Sequence, residues 1–316
     1  MRSVSARRPI DVVGVPFNSA GTTQGVARAP EALRRAGLIG DLREAGFAVV
    51  DRGDVDLVPP TPMRDPESHL IASHALAPMV RAGRRAVAAS FEAEAFPMVL
   101  GGDCPVLLGC MAATATRDAP RLLFVDGHED AWPAERSTTG EAADMELGWL
   151  LGRAVDSLPS ELLREIPRLD AADLIVLGAR DGLELAEAGV ESISDVVRIV
   201  RPDSVADDPV AIADRAVSTL DARGPWWLHV DLDVLSTESL AAVDYRQVGG
   251  LDWSALTDVT ARAFASPSLL GWTLTIYNPD LDADGEGAQR IVRYVTDAFT
   301  LATGGPGRGD RHRMTR

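Results

Sequence analysis

The chain has 316 residues, of which 46% are apolar and 25% are charged. That composition is enough to bury a large core, either in one large α/β domain or in two smaller ones. The 31 lysines and arginines and 47 aspartates and glutamates give a net charge of −16. A field of that sign argues against a nucleic-acid or anionic-membrane partner.

The two cysteines, Cys104 and Cys110, are six residues apart and do not indicate a disulfide framework. A reducing cytoplasm is therefore the expected location. Residues 1–8 are basic, but the segment after them is typical of a strand rather than of a signal peptide. No window approaches the ~18 uninterrupted apolar residues of a membrane span.

Short apolar strands alternate with helical patterns along the chain. In chain order, the sequence predicts a strand at 10–15, a helix at 29–36, a strand at 46–51, a Pro-rich loop at 59–66 and a long helix at 69–94. Strands at 97–100 and 122–125 follow, then helices at 145–153 and 162–165 and a strand at 174–177. The last predicted elements are a helix at 211–220, a strand at 227–230, a helix at 253–265, a strand at 270–277 and a helix at 288–300. This alternation predicts βαβ units around a buried parallel sheet. The Gly-rich, basic tail, residues 304–316, is expected to be disordered.

Two acidic segments follow buried strands. LLFVDGHED places Asp126, His128 and Asp130 at alternate positions, and WWLHVDLDVL does the same with Asp231 and Asp233. Alternate residues of an extended chain point to one face, and parallel sheets bind ligands beyond the carboxyl ends of their strands. Aspartates after strands are also common turn formers and helix caps. Two such segments together favour a metal site.

The donor set indicates the type of metal. Four carboxylates and one imidazole would repel one another without a cation, so a divalent metal is expected. Oxygen donors with one histidine suit Mn²⁺ or another hard to borderline metal better than a structural Zn²⁺ site. Several carboxylates favour two metals about 3.5–4 Å apart, which can share and activate one hydroxide.

Cys104 follows a third strand in the turn Gly-Gly-Asp-Cys, before a helical pattern that has Pro105 in its first turn. The helix dipole is expected to favour its thiolate, the form that binds metals. Cys104 is a metal ligand, a nucleophile or a buried small residue. Asp103 is expected to stabilise the turn, and His229 is expected to be a buried core histidine.

These segments together resemble the arginase/agmatinase (ureohydrolase) family. The resemblance begins at VVGVPFNSAGTTQGVARAPEALRRAGL and continues through LGGDC, FVDGHEDAW, LGARD and HVDLDVL to TIYNPDLD. It implies one arginase/deacetylase-like domain over 1–303, a three-layer α/β/α sandwich with a mostly parallel sheet of about eight strands. It also implies two Mn²⁺ ions and a hydroxide that attacks a guanidinium carbon. The implied ligands are Cys104, Asp126, His128, Asp130, Asp231 and Asp233.

The chain departs from the family pattern at several positions. The first ligand is usually histidine, and Cys104 there resembles the N-omega-hydroxyarginine amidinohydrolase branch. At three other places the family usually has an acidic residue, and this chain has Ser236, Ile276 and Leu183 instead. The histidine expected after Gly140 is also missing. A lost guanidinium carboxylate removes a charge-assisted pair of about 1.5–3 kcal/mol. These losses argue against arginine itself as the substrate.

Other residues are candidates for the remaining roles. Glu141 and Asp144 are predicted as substituted catalytic acids or bases, although Glu141 could equally cap the helix that follows it. Trp132 is predicted to narrow the pocket or stack on a planar cation, or else to pack its loop. The resemblance also implies that Asp181 and Asn18 bind substrate. The acids Asp280 and Asp282 are available as replacements or as turn residues.

The sequence therefore predicts a cytoplasmic, dinuclear manganese hydrolase that cleaves a C–N bond in a guanidino or amidine small molecule. Family resemblance implies a homo-oligomer, either a trimer or a hexamer. Two alternatives remain. One is an amide or modified-guanidine hydrolase of a specialised pathway, and the other is a non-catalytic protein with the same fold. A non-catalytic protein would be expected to lose carboxylates from the clusters, whereas five of the six ligand positions match the family.

Overall fold

A computed structural model describes residues 8–304, and the predicted disordered tail lies almost wholly outside the described residues. One sheet contains eight strands in this part of the chain: β1 (Ile10–Val15), β2 (Val49–Asp54), β3 (Phe96–Gly101), β4 (Leu122–Val125), β5 (Leu174–Leu177), β6 (Arg198–Val200), β7 (Trp226–Asp231) and β8 (Leu269–Thr275). Their order across the sheet is β2-β1-β3-β8-β7-β4-β5-β6, and each neighbouring pair is parallel.

Helices connect most of these strands. They are α1 (Ala29–Arg35), α2 (Leu38–Glu44), α3 (Ser73–Glu92), α4 (Val106–Thr114), α5 (Glu146–Leu150), α6 (Ser160–Leu163), α7 (Gly182–Ala188), α8 (Pro202–Asp207), α9 (Pro209–Asp221), α10 (Trp253–Ala265) and α11 (Glu286–Ala302). No helix within 8–304 is both long and apolar enough to cross a bilayer.

The sheet has a separate hydrophobic core on each face, because alternate strand residues point to opposite sides. Val12 of β1 belongs to one core, with side chains from α1, α2 and α9 to α11. Its neighbour Val13 belongs to the other core, with side chains from α3 to α6. The predicted three-layer α/β/α sandwich is therefore confirmed, as is the mostly parallel sheet of eight strands.

The main differences from the predicted elements lie at the sheet edges and in short helices. Strand β6, which was not predicted, has only three residues, and none of them is buried. Strand β2 begins three residues later than predicted and is largely exposed beyond Val49. Helices α2, α7 and α8 were not predicted. The long helix begins at Ser73 rather than at 69, because His69 and Ala72 have positive φ angles of 62° and 51°.

Helix α4 lies deep in the molecule and is buried along its whole length. It packs against α3, where Gly83 and Gly109 allow the two backbones to approach closely. A Cβ added to Gly109 would lie 2.9 Å from the Val80 carbonyl oxygen. This packing fixes the turn before α4, and the same turn carries Cys104.

Candidate metal centre

The two acidic segments lie side by side because β4 and β7 are neighbours in the middle of the sheet. Asp126 follows the last residue of β4, and Asp231 is the last residue of β7. The alternating positions were interpreted as extended chain, but both segments leave the sheet in tight turns. The Asp126 Oδ1 atom accepts from the His128 N–H at 2.8 Å, and the Asp231 Oδ1 atom accepts from the Asp233 N–H at 2.7 Å. Asp130 has a φ of 42°.

The six predicted ligands lie together at this edge of the sheet. Donor atoms of Asp126, His128 and Asp130 lie within 4.8 Å of one another, as do those of Cys104, Asp126 and Asp231. The sixth, Asp233, contacts His128, whose Nδ1 atom is 3.0 Å from the Asp233 Oδ2 atom. Of these six side chains only His128 is partly exposed.

The pKa values of most acids in this centre are raised, because the carboxylates are buried close to one another. Burial and the charge of Asp233 raise the pKa of Asp126 to about 7. Burial and neighbouring carboxylates raise the pKa values of Asp130 and Asp231 well above the usual range. Asp233 is the exception, because His128 and Arg180 outweigh burial and lower its pKa. The protein's own cations therefore do not balance its buried acids.

Cys104 lies between the two segments, one residue before Pro105, which caps α4. Its Sγ atom is 2.5 Å from the Asp231 Oδ2 atom and 3.3 Å from the Thr275 Oγ1 atom. The helix dipole was expected to stabilise the Cys104 thiolate, but the surroundings of the side chain oppose it more strongly. Burial and the charge of Asp231 raise the thiol pKa well above its ordinary value. A bound cation would be needed to favour the thiolate.

Asp103 has the structural role that the sequence predicted for it. Its Oδ2 atom accepts from the Ser19 N–H at 2.7 Å and from the Ser19 hydroxyl, and its Oδ1 atom accepts from the Cys104 N–H at 3.1 Å. The carboxylate therefore joins the loop after β1 to the turn after β3.

A pocket of about 400 Å³ opens above the centre. Cys104, His128, Asp130, Asp231 and Asp233 line its floor. The remaining wall residues come mainly from the loops 132–144 and 244–247 and from the end of β8, and they are Trp132, Ser137, Thr138, Thr139, Ala143, Asp144, Glu184, Asp244, Tyr245, Arg246, Gln247 and Ile276.

The predicted catalytic acids lie near this pocket in different environments. The Asp144 Oδ2 atom accepts from the Ser137 hydroxyl at 2.9 Å and from the Thr139 hydroxyl at 2.5 Å. Glu141 occupies the cap position of a 3-10 turn, but its side chain makes no capping hydrogen bond. It interacts with Tyr245 instead, and burial together with the charge of Asp103 raises its pKa to about 8. Its position therefore does not depend on a capping role.

The three predicted substrate-binding residues are dispersed. Trp132 lines the pocket, and its backbone N–H donates to the Asp144 carbonyl at 2.9 Å. Asn18 is engaged within its own loop, donating to the Gln24 carbonyl at 2.9 Å. The Asp181 Oδ2 atom accepts from the Glu129 N–H at 3.1 Å. Neither Asn18 nor Asp181 is among the residues that line this pocket.

Two further buried residues have donor atoms in the centre. His229 is within 4.8 Å of the Cys104, Asp126 and Asp231 donors, and Glu146 is grouped in the same way with Cys104 and Asp130. Neither the His229 nitrogens nor the Glu146 oxygens have a hydrogen-bond partner. Burial lowers the pKa of His229 to about 3, so its ring is neutral. The sequence did not single out Glu146, because it lies outside both strand-end motifs.

The loop after β7 contributes residues that the sequence also did not single out. Asp244 and Tyr245 line the pocket, and the Asn278 side-chain amide donates to the Asp244 carboxylate. Asp244 is adjacent to Tyr245 in VDYRQV, which has neither strand nor helix periodicity. A loop of this kind gives no spacing signal, so only the folded chain brings these side chains to the pocket.

Known proteins share this architecture. Two curated relatives are the arginase of Brevibacillus brevis, 26% identical over 92% of this chain and 97% of that protein, and arginase-1 of Rattus norvegicus, 26% identical over 98% and 96%. The native structure of Bacillus caldovelox arginase superposes with a TM-score of 0.80 at 24% identity, covering 92% of this chain and 98% of that one. A model of the arginase family matches residues 8–300. The chain therefore belongs to the arginase family.

Proposed function

We propose that this protein is a dinuclear manganese-dependent hydrolase that cleaves a C–N bond of a guanidino or amidine small molecule other than arginine. The observation that carries the proposal is the group of buried carboxylates below the pocket, whose charge the protein itself leaves unbalanced. Membership of the arginase family supports hydrolysis as the reaction class. We also propose, on family resemblance, a cytoplasmic homo-oligomer that is a trimer or a hexamer.

The residues fit a pair of divalent cations. Four aspartates and the Cys104 thiolate would carry five negative charges, and two divalent cations would carry four positive ones. The Asp126 Oδ2 atom is buried without a hydrogen-bond partner, so it is free to bind a metal. Mostly oxygen donors with one imidazole suit Mn²⁺, and the single thiolate is compatible with a borderline metal.

When bound, the metals supply Lewis acidity and a water molecule that is acidic enough to react near neutral pH. The chain holds its ligands ready for them. The Gly127 N–H donates to the Asp233 Oδ1 atom at 3.1 Å, and Arg180 donates to the Asp233 carbonyl at 2.8 Å. A Cβ at Gly127 would lie 2.8 Å from Asp233 Oδ1. The glycine therefore permits the close approach of the two strand-end segments.

Glu141 and Asp144 are assigned the proton-transfer and substrate-orienting roles. In the metal-free protein the pKa of Glu141 is raised to about 8, which favours its protonated form at neutral pH, and we assign it donation of a proton to the departing amine. Its partner Tyr245 lines the pocket. Asp144 is oriented by the Ser137 and Thr139 hydroxyls, so its carboxylate faces the pocket in a fixed direction.

The pocket suits a small planar cation. Trp132 and Tyr245 offer aromatic surfaces, and Asp144 and Asp244 offer carboxylates. Ile276, an apolar residue, lines the wall where the family resemblance places the glutamate that holds the guanidinium of arginine. A substrate with a modified or differently placed guanidinium group fits this wall better than arginine.

The proposal predicts urea, hydroxyurea or ammonia release from a panel of guanidino and amidine compounds incubated with Mn²⁺ and purified protein. The expected best substrate is not arginine. Product formation should be lost in Asp233→Ala, which controls for a contaminating hydrolase. Two results would contradict the proposal: arginine as the preferred substrate, or no metal binding and no turnover in any reaction.

A further inference from the structure

Glu146 is a buried acid without a basic partner among residues 8–304. It is the first residue of α5, its exposed fraction is 0%, and neither carboxylate oxygen has a hydrogen-bond partner. It lies outside the six ligands that the family resemblance implies. Nothing in the roles assigned above requires an acid at this position.

Backbone contacts hold Glu146 against the centre. The Gly148 N–H donates to the Asp130 carbonyl at 3.0 Å, and the Trp132 N–H donates to the Asp144 carbonyl. A Cβ added to Gly148 would lie 2.9 Å from the Ala131 Cα atom. The first turn of α5 is therefore pressed onto the segment that follows Asp130. This contact directs the Glu146 carboxylate to the donor atoms of Cys104 and Asp130, within 4.8 Å of both.

The surroundings of Glu146 are unfavourable for a carboxylate unless a cation is present. Burying an ionised carboxylate without a partner costs several kcal/mol, on the order of the penalty that usually makes such a group take up a proton. Burial and the charges of Asp126 and Asp103 disfavour an ionised carboxylate here, and the neighbouring side chain that favours it is another acid, Asp130. No lysine, arginine or histidine within 8–304 forms a salt bridge with it.

We propose that Glu146 is a seventh ligand of the metal centre and binds the metal on the Cys104 side, together with Asp130. This inference rests on the proposed function, because it requires that the centre hold metal. A thiolate and an additional carboxylate make this side of the centre more anionic than the family pattern, in which the first ligand is histidine. A more anionic donor set binds a divalent cation more tightly, and the thiolate makes the site suitable for a softer metal.

The test compares metal binding in the wild type, Glu146→Gln and Glu184→Gln. Glu184 lines the same pocket at an exposed position, so its variant makes the same chemical change away from the centre. Metal content is measured by elemental analysis after dialysis against a series of free Mn²⁺ concentrations. We expect Glu146→Gln to bind one of its two metals more weakly by at least about tenfold. Glu184→Gln should match the wild type.

Thermal melting provides the second measurement. Without metal the buried Glu146 carboxyl is expected to be neutral, so metal-free Glu146→Gln should melt close to the metal-free wild type, but it should gain less from added Mn²⁺. If this variant does not fold, Glu146→Asp keeps a carboxylate and should give intermediate metal affinity. Wild-type metal binding in the Glu146 variants would overturn the ligand assignment alone. A wild type that binds no Mn²⁺ would overturn both this assignment and the proposed function.

Discussion

Cys104 has the surroundings of a ligand rather than those of a nucleophile. A nucleophile needs its thiolate near neutral pH, but burial and Asp231 hold the proton on this thiol. Within residues 8–304 the imidazole whose donor atoms are grouped with it is that of His229, which is a poor base because burial lowers its pKa to about 3. A metal would remove both obstacles, since a bound cation stabilises the thiolate and the adjacent carboxylates together.

Cys104→His is expected to retain two metals per chain, because an imidazole at this place is the usual ligand of the family. Cys104→Ala should lose one metal, as measured by elemental analysis. Cys110→Ala is the matched control, because Cys110 is equally buried but contacts Thr273 and the backbone of its own helix. If Cys104→His keeps both metals and yet shows no turnover at all, the thiol is the nucleophile and the ligand assignment is wrong.

The sequence could predict the residues that follow regular strands, but not those placed by loops. Asp126, His128 and Asp130 do lie close to Asp231 in the structure, because the neighbouring strands β4 and β7 end at the same edge of the sheet. Asp244 reaches the pocket from a loop without periodicity, and Glu146 reaches the metal centre from the first turn of α5, outside both strand-end motifs. Their positions depend on long-range backbone contacts such as Gly148 to Asp130, which no local pattern encodes.

At the scale of the elements, the end of β8 is one of the places where the site departs from the family pattern. The strand ends at Thr275, and Ile276 then turns into the pocket wall with a φ of 69°. Its N–H donates to the Gly102 carbonyl at 2.8 Å, which ties this turn to the one that carries Cys104. An isoleucine rarely adopts a positive φ, so this hydrogen bond and the packing around it outweigh the residue's preference for a negative φ.

Ile276→Glu is expected to increase hydrolysis of an unmodified guanidinium compound by about ten- to hundredfold in kcat/KM. The added carboxylate supplies a charge-assisted pair of about 1.5–3 kcal/mol at the wall. Ile276→Gln has nearly the same shape without the charge and should give no such gain. Kinetics with arginine and agmatine would check this, and equal rates for the two variants would exclude a role of charge at this wall.

Sequence patterns located the central strands better than the edges of the sheet. Strands such as β4 and β5 are four buried apolar residues each, so their composition alone marks them. Strand β6 is three partly exposed residues, and β2 exposes most of its side chains to solvent. Edge strands are formed by pairing with a neighbour, and hydrogen bonding of this kind leaves no hydrophobic signature.

For the whole molecule, the raised pKa values imply a link between pH and metal binding. Without metal, Asp126 with a pKa of about 7 and Glu141 with a pKa of about 8 bind more protons when the chain is folded than when it is unfolded. Their contribution to the free energy of unfolding therefore falls as pH rises from about 5 to 8. Metal binding replaces protons on its ligands, so affinity rises over the same range.

The rise in Tm produced by Mn²⁺ should therefore be larger at pH 8 than at pH 6. Comparing melting with and without metal at each pH cancels the contribution of groups remote from the centre. Asp233→Ala provides the control and should show a smaller metal-induced rise at both pH values. A metal-induced rise that is the same at both pH values would show that the ligands carry no protons in the metal-free protein.

The position of the two acidic segments on β4 and β7 also has a consequence for folding. These strands are adjacent in the sheet but distant along the chain, as the hydrogen bond between Gly127 and Asp233 shows across 106 residues. A nascent chain that has not yet reached Asp231 has only half of the centre. Full affinity for metal thus appears only after the long-range pairing of β4 with β7. The metal should therefore bind after the sheet has formed. It should lower the unfolding rate of the protein and leave the folding rate largely unchanged.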